Sequence, residues 1–214
     1  MAPAVPADRE SVRELVGRES VYQGPVFEVL TDTFRLHEGG DPVVRDYLAH
    51  PGAVAVVVLN DSGQLLLLSQ YRHPVEMVLW EIPAGLLDVD GEDFAAAAAR
   101  ELAEEADLVA AEWHVLVDVL NSPGYSNEAI RIFLARGISA VPAGERHQRT
   151  DEEAEIQLRW VELEDAVAGV LAGSLHNPSA VAGILAAAAA RARGFASLRP
   201  ADAPFPIHPS QRGQ

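Results

Sequence analysis

Three glutamates and one arginine crowd into a short run, Arg100-Glu101-Leu102-Ala103-Glu104-Glu105, directly after five consecutive alanines, Ala95 to Ala99. Alanine has the highest intrinsic helix propensity, so the run is expected to be helical. At 100° per residue, Glu101 and Glu105 then lie about 40° apart and Glu104 sits about 60° to the other side of Glu101, so the three carboxylates share one face. Like charges at such spacing oppose the helix by a few tenths of a kcal/mol per pair, roughly, and more where the face is desolvated. Two readings follow. The face is a solvated one that Arg100 partly neutralises, or it holds hard divalent cations, for which carboxylate oxygens are the preferred ligands. Leu102, with Ala95, Ala98 and Ala106, forms the apolar stripe that would turn the glutamates away from the core.

The helix must be delivered by what precedes it. "LWEIPAGLLDVDGED" (79–93) reads as a loop punctuated by Pro and Gly that leads into the first turn. Upstream, 26–36 alternates like a strand, and a Gly-Gly turn leads to a second strand near 43–50. "AVAVVVLN" and "QLLLLSQYR" flank a turn and read as a hairpin whose continuous apolar runs are buried on both faces. Downstream, three further strands are expected in 113–120, 129–138 and 155–163. Two helices follow in 164–175 and 178–194, the second capped by Asn177 with Pro178 at its first position. Strands, a helix, more strands and then helices imply a mixed sheet sandwiched between helices.

Gly85, Glu92, Arg100, Glu101, Glu104, Glu105 and Leu108 together resemble the Nudix box: a glycine, a glutamate, then Arg-Glu-aliphatic-any-Glu-Glu and a closing glycine-aliphatic pair. The interval from Gly85 to Glu92 is one residue wider than the family's, which a loop absorbs cheaply. Asp107 stands where the family has glycine. Aspartate suits a left-handed helix end less well and its charge opposes the helix dipole, so a differently built helix terminus is expected there.

The resemblance implies an α/β fold, a Nudix-type α/β/α sandwich with a mixed sheet, preceded by a small N-terminal β-segment. The corresponding division is 1–48 as N-terminal strands serving dimerisation, 49–194 as the catalytic domain, and 195–214 as a Pro-rich tail, with both chain ends unstructured or draped over a neighbour. It also implies magnesium or manganese bound by Glu101, Glu104, Glu105 and the Ala84 carbonyl, with Glu105 essential to turnover, and a Glu92–Arg100 pair holding the loop to the helix.

"QYRHP", the approach to the box and the Ser122-Pro123-Gly124 turn are similar to the ADP-ribose pyrophosphatase branch of that family. This implies ADP-ribose as substrate and a homodimer that completes the pocket. Arg72 is the candidate phosphate contact, because a guanidinium holds two oxygens at once. Pro123 and Gly124 can present backbone to a ligand, and Glu81 and Glu128 are candidates for ribose or metal. Tyr22, Phe27 or Trp80 could stack on adenine, each being equally placed to be core. A glutamate from the acidic stretch 150–156 would take the water's proton, Glu152 before Glu153. Alternatives remain open: another nucleoside diphosphate sugar or a dinucleotide as substrate, or a non-catalytic ADP-ribose-binding regulator.

The bulk properties narrow the setting. Sixteen basic against 32 acidic residues, a net charge of -16 and no basic stripe argue against nucleic acid or an anionic membrane as partner. Without cysteine there is no disulfide, thiolate metal site or cysteine nucleophile. The apolar runs are too short to span a bilayer and the first residues do not resemble a signal peptide, so a cytoplasmic protein is expected.

Overall fold

A computed structural model describes residues 5–89, 91–149 and 155–211. The chain forms two compact units, Met1–His50 with Gly124–Ser126, and Pro51–Pro123 with Asn127–Gln214. The smaller unit is an antiparallel sheet of β1 (Glu14–Gln23), β2 (Glu28–Arg35) and β3 (Pro42–Ala49), in that order. β2 and β3 occupy the two strands expected there, whereas β1, with every side chain exposed, carries no alternation that would announce it. Arg18 is registered opposite Asp32 and donates to both of its carboxylate oxygens, at 2.6 and 2.7 Å.

In the larger unit, β11 (Arg199–Pro200), β8 (Leu108–Leu120), β9 (Ala129–Ala140), β4 (Ala53–Val58) and β7 (Ala84–Leu86) form a five-stranded mixed sheet in that spatial order. β10 (Gln157–Glu162), β5 (Gln64–Arg72) and β6 (Met77–Glu81) form a three-stranded antiparallel sheet. Three helices complete the unit: α1 (Phe94–Ala106), α2 (Leu163–Leu171) and α3 (Pro178–Arg191). The reason β4 is apolar throughout is visible in its alternation. Val54, Val56 and Val58 pack with Ala98 and Leu102 of α1, while Ala53, Ala55 and Val57 pack with Ile184 and Ala187 of α3. The sheet is therefore covered by helices on both faces, as an α/β/α sandwich requires. Gly183 lets α3 approach β4, since a Cβ there would meet Val57 Cγ2 at 2.7 Å. No helix among the described residues is long and apolar enough to cross a membrane.

Four local expectations are corrected. β4 and β5 begin as a hairpin, with Asn60 donating to Gln64 O and a bridge at Leu59–Leu65, but then separate into different sheets. Each strand buries both faces, so each needs its own layers rather than the other's edge. The stretch read as a loop over 79–93 contains the end of β6 and all of β7, because its one proline, Pro83, falls between the two strands where no ladder N–H is lost, and Gly85 is paired within β7 opposite Val54. β8 starts at Leu108, directly after the helix, not at 113.

The tail is the fourth correction, since its described part is folded onto the larger unit. Phe205 and His208 are buried, and β11 pairs with β8. Arg131 of β9, only 1% exposed, explains why the tail is drawn in. Its guanidinium donates to both oxygens of Asp118 at 2.9 and 3.1 Å, to Pro204 O at 2.7 Å and to Ala203 O, and it lies 4.3 Å from the centre of the Phe205 ring. A buried cation requires such partners, and the Pro-rich segment provides half of them.

Candidate active site

α1 starts as its sequence prescribes. Asp93 caps it, accepting from the N–H groups of Ala95 and Ala96 at 2.9 and 3.2 Å, and Leu102, Ala98 and Ala106 are buried as the stripe required. The opposite face meets β7. Glu105, 5% exposed, accepts from Ala84 N–H at 2.9 Å. Glu101 lies over Gly85 so closely that a Cβ built there would overlap its carboxylate. The glycine is thus needed for close approach and not for an unusual backbone angle. Two carboxylates one helical turn apart are laid against consecutive residues of one strand.

Arg100 organises the rest. It grips Glu92 with a fork of two bonds, 3.1 Å from Nε and 3.0 Å from NH2, and its NH1 donates to Glu101 at 2.6 Å and to Glu104 at 3.4 Å. Those bonds from Arg100 hold the Glu92 carboxyl below the usual carboxylate range, and the surrounding carboxylates raise Arg100 further above its ordinary value. Among the described residues no three acidic or histidine side chains converge on one point. Arg100 NH1 lies between Glu101 and Glu104, where a positive charge is demanded. The donor set, carboxylate oxygens with no sulfur or imidazole among them, fits a hard divalent cation that would share Glu101 and Glu104 with this arginine.

Asp107 does not rebuild the helix end, contrary to expectation. It takes the left-handed conformation a glycine would, with φ 54° and ψ 36°, and its N–H closes on Ala103 O. The compensation comes from Arg149, which donates to Asp107 Oδ2 at 2.6 Å and to Glu104 O at 2.9 Å. A cation at the negative end of the dipole offsets the aspartate. Nothing in the sequence around Arg149 signals this. Arg131, by contrast, was detectable as a charge set within the apolar run 129–135.

The remaining candidates fall as follows. Arg72 faces Glu81, with bonds of 2.9 and 2.7 Å, so the proposed phosphate contact and the proposed ribose or metal ligand form one ion pair across β5 and β6, and Glu81 is buried. Glu128 closes the β8–β9 loop, accepting from Asn121 Nδ2 at 2.6 Å while its carbonyl accepts from Asn121 N–H. Within that loop Pro123 and Gly124 are exposed, after Ser122 at φ 55°. Trp80 lies beneath Arg159, 5.5 Å away, and packs against the core; Tyr22 and Phe27 are exposed neighbours in the smaller unit. Glu152 and Glu153 lie outside the described residues.

Comparison with known proteins assigns the chain a family. The ADP-ribose pyrophosphatase of Mycobacterium tuberculosis is 42% identical over 88% of this chain and 89% of its own length. The Bacillus subtilis protein of the same name is 33% identical over 71% of this chain and 80% of its own. A crystal structure of an ADP compounds hydrolase superposes with a TM-score of 0.67, covering 88% of this chain and 99% of that one, at 21% identity, which speaks to the fold. The profile of the NUDIX domain matches residues 49–180, a span that takes in Gly85, the Glu92–Arg100 pair and all three helix glutamates, and the chain belongs to that family.

Proposed function

We propose that the protein hydrolyses the pyrophosphate bond of ADP-ribose to AMP and ribose 5-phosphate, with magnesium or manganese held by Glu101, Glu104, Glu105 and the Ala84 carbonyl. The observation that carries this reading is the placement of the Glu101 and Glu105 carboxylates against Gly85 and Ala84, in a chain whose relatives of 42% and 33% identity are both named for that activity. A bound divalent cation would supply Lewis-acid neutralisation of the diphosphate and a lowered pKa for the attacking water.

The chain's own groups do the rest. Ala84 N–H fixes the Glu105 carboxylate, and Arg100 ties the loop bearing Glu92 to the helix. Glu152, or else Glu153, takes the proton of the water whose oxygen bonds to phosphorus as the bridging P–O bond breaks. Such a base is worth roughly 10²–10⁴-fold in rate. Arg72, oriented by Glu81, meets a phosphate, and Pro123, Gly124 and Glu128 border the sugar end. The exposed apolar residues of β1, Leu15, Val16 and Val21 among them, support a homodimer. A cytoplasmic setting completes the reading; recovery of the native protein outside the cell or with membranes would overturn that part.

The test is product analysis on a panel of nucleoside diphosphate sugars and dinucleotides, with and without magnesium. AMP and ribose 5-phosphate formed chiefly from ADP-ribose and only with metal is the expected result. Preference for another member of the panel would reassign the substrate, and tight binding of ADP-ribose without turnover would make the protein a regulator. Glu105→Gln is expected to lower turnover by at least about 100-fold with the fold intact. Near-normal turnover in that variant would remove Glu105 from the cation site.

A further inference from the structure

The folded tail is tied to both ends of the loop that carries Glu92, directly at one end and through Pro51 and Gly52 at the other. At the far end Phe94, the first residue of α1, meets the Phe205 ring edge-on at 5.4 Å and the His208 ring at 5.2 Å. At the near end His208 Nε2 bonds to Pro51 O at 2.8 Å, while its Nδ1 accepts from Ser210 N–H at 3.2 Å, which assigns the ring proton to Nε2. The ring occupies the place of a Cβ on Gly52, whose φ of 94° also calls for glycine. Gly52 O in turn accepts from Leu87 N–H at 3.1 Å, where the loop leaves β7. Between loop and tail lies a cleft of about 460 Å³ bordered by Val89, Glu92, Asp93 and Asp202.

We propose that residues 199–211 are a positioning strap for the cation-holding face of α1, and that Phe205 and His208 are positioning residues for the reaction although neither can reach the glutamates' ligand. The strap fixes the loop at Leu87 through Gly52 and at Phe94 directly. It thereby fixes the Glu92 carboxylate that grips Arg100 and the axial placement of α1 that lays Glu101 over Gly85. A displacement of about 1 Å at such groups can lower a rate about 100-fold, and changes in the layer behind metal ligands typically weaken metal affinity about 10–100-fold. Arg131 makes the strap's seat specific. Its bonds to Ala203 O and Pro204 O set where Phe205 enters, so the strap cannot slide along the groove.

The inference rests on the metal reading above, and its test separates the two. Manganese binding by the full chain without substrate is measured by electron paramagnetic resonance, alongside amide hydrogen exchange. Phe205→Ala is expected to weaken manganese binding at least about tenfold. It should also speed exchange at Leu87 to Ala97, with the β8–β9 amides unchanged and Phe205→Leu largely restoring both. His208→Gln, which keeps a donor for Pro51 O, should fall between wild type and Phe205→Ala. If Phe205→Ala does not fold, His208→Gln carries the measurement, expected to bind manganese more weakly than wild type, with faster exchange over the same segment. Wild-type manganese affinity in folded Phe205→Ala, or in His208→Gln where that variant carries the measurement, or exchange raised uniformly across the sheet, would overturn the strap's role. Failure of the wild type itself to bind manganese would show that the metal reading has failed, and the strap proposal would fall with it.

Discussion

At Gly85 the structure turns a motif position into a steric requirement. A methyl group there must displace the Glu101 carboxylate or the helix that carries it. Gly85→Ala is accordingly expected to lose about 1–3 kcal/mol of stability, as overpacked sites do, and to need more metal for half-maximal activity. Urea unfolding and a magnesium titration would check both, and an unchanged titration would mean that Glu101 need not approach β7. The spacing of Glu101, Glu104 and Glu105 was legible because a helix converts sequence intervals into angles without help from the rest of the fold. Gly85 was legible as a position but not as a cause, since the contact joins residues from two elements. The Arg72–Glu81 pair was invisible for the same reason: each side chain alone looks like a surface charge at a strand end.

Helix termini and strand pairs behave less locally. Asp107 holds a left-handed angle and has one carboxylate oxygen, Oδ1, buried without a hydrogen-bond partner among the described residues, so Arg149 is its main compensation. Arg149→Met should destabilise by about 1.5–3 kcal/mol, the range for bonds to charged groups, and the loss should shrink in the Asp107→Gly background. A double-mutant cycle showing additive effects would dismiss the pairing. In the smaller unit, hydrogen bonds from Arg18, opposed by burial, hold Asp32 below its ordinary value of 3.8. A carboxylate with a depressed pKa contributes stability that is complete above the ordinary value and is lost as the pH falls through the lowered one. The stability gap between wild type and Asp32→Asn should therefore hold steady above the ordinary value and close as the pH falls below it, and a gap independent of pH would refute it. Strands with strict alternation or continuous apolar runs were readable beforehand. The parting of β4 from β5 was not, because local turn chemistry is satisfied either way and only the layers on both faces of each strand decide between one sheet and two.

For the whole molecule, the exposed apolar side chains of β1 and the charge of -16 set opposing tendencies, one toward association and one against it. Sedimentation equilibrium is expected to show a dimer that Val21→Asp weakens, more so at low salt where repulsion is less screened. A wild-type protein that stays monomeric and active at every concentration would remove the dimer. Arg131 has a bearing on how the molecule is made. Its charge sits at the centre of the five-stranded sheet, and half of its bonds end on carbonyls at 203 and 204, far along the chain from β9. During synthesis, domains tend to fold as their segments emerge, at roughly 5–20 residues per second. Here the sheet and α1 can assemble only around an arginine that is still open to water. Closure must wait until the strap has left the ribosome, so a message read short of that point yields a chain whose unsealed centre exposes it to proteolysis.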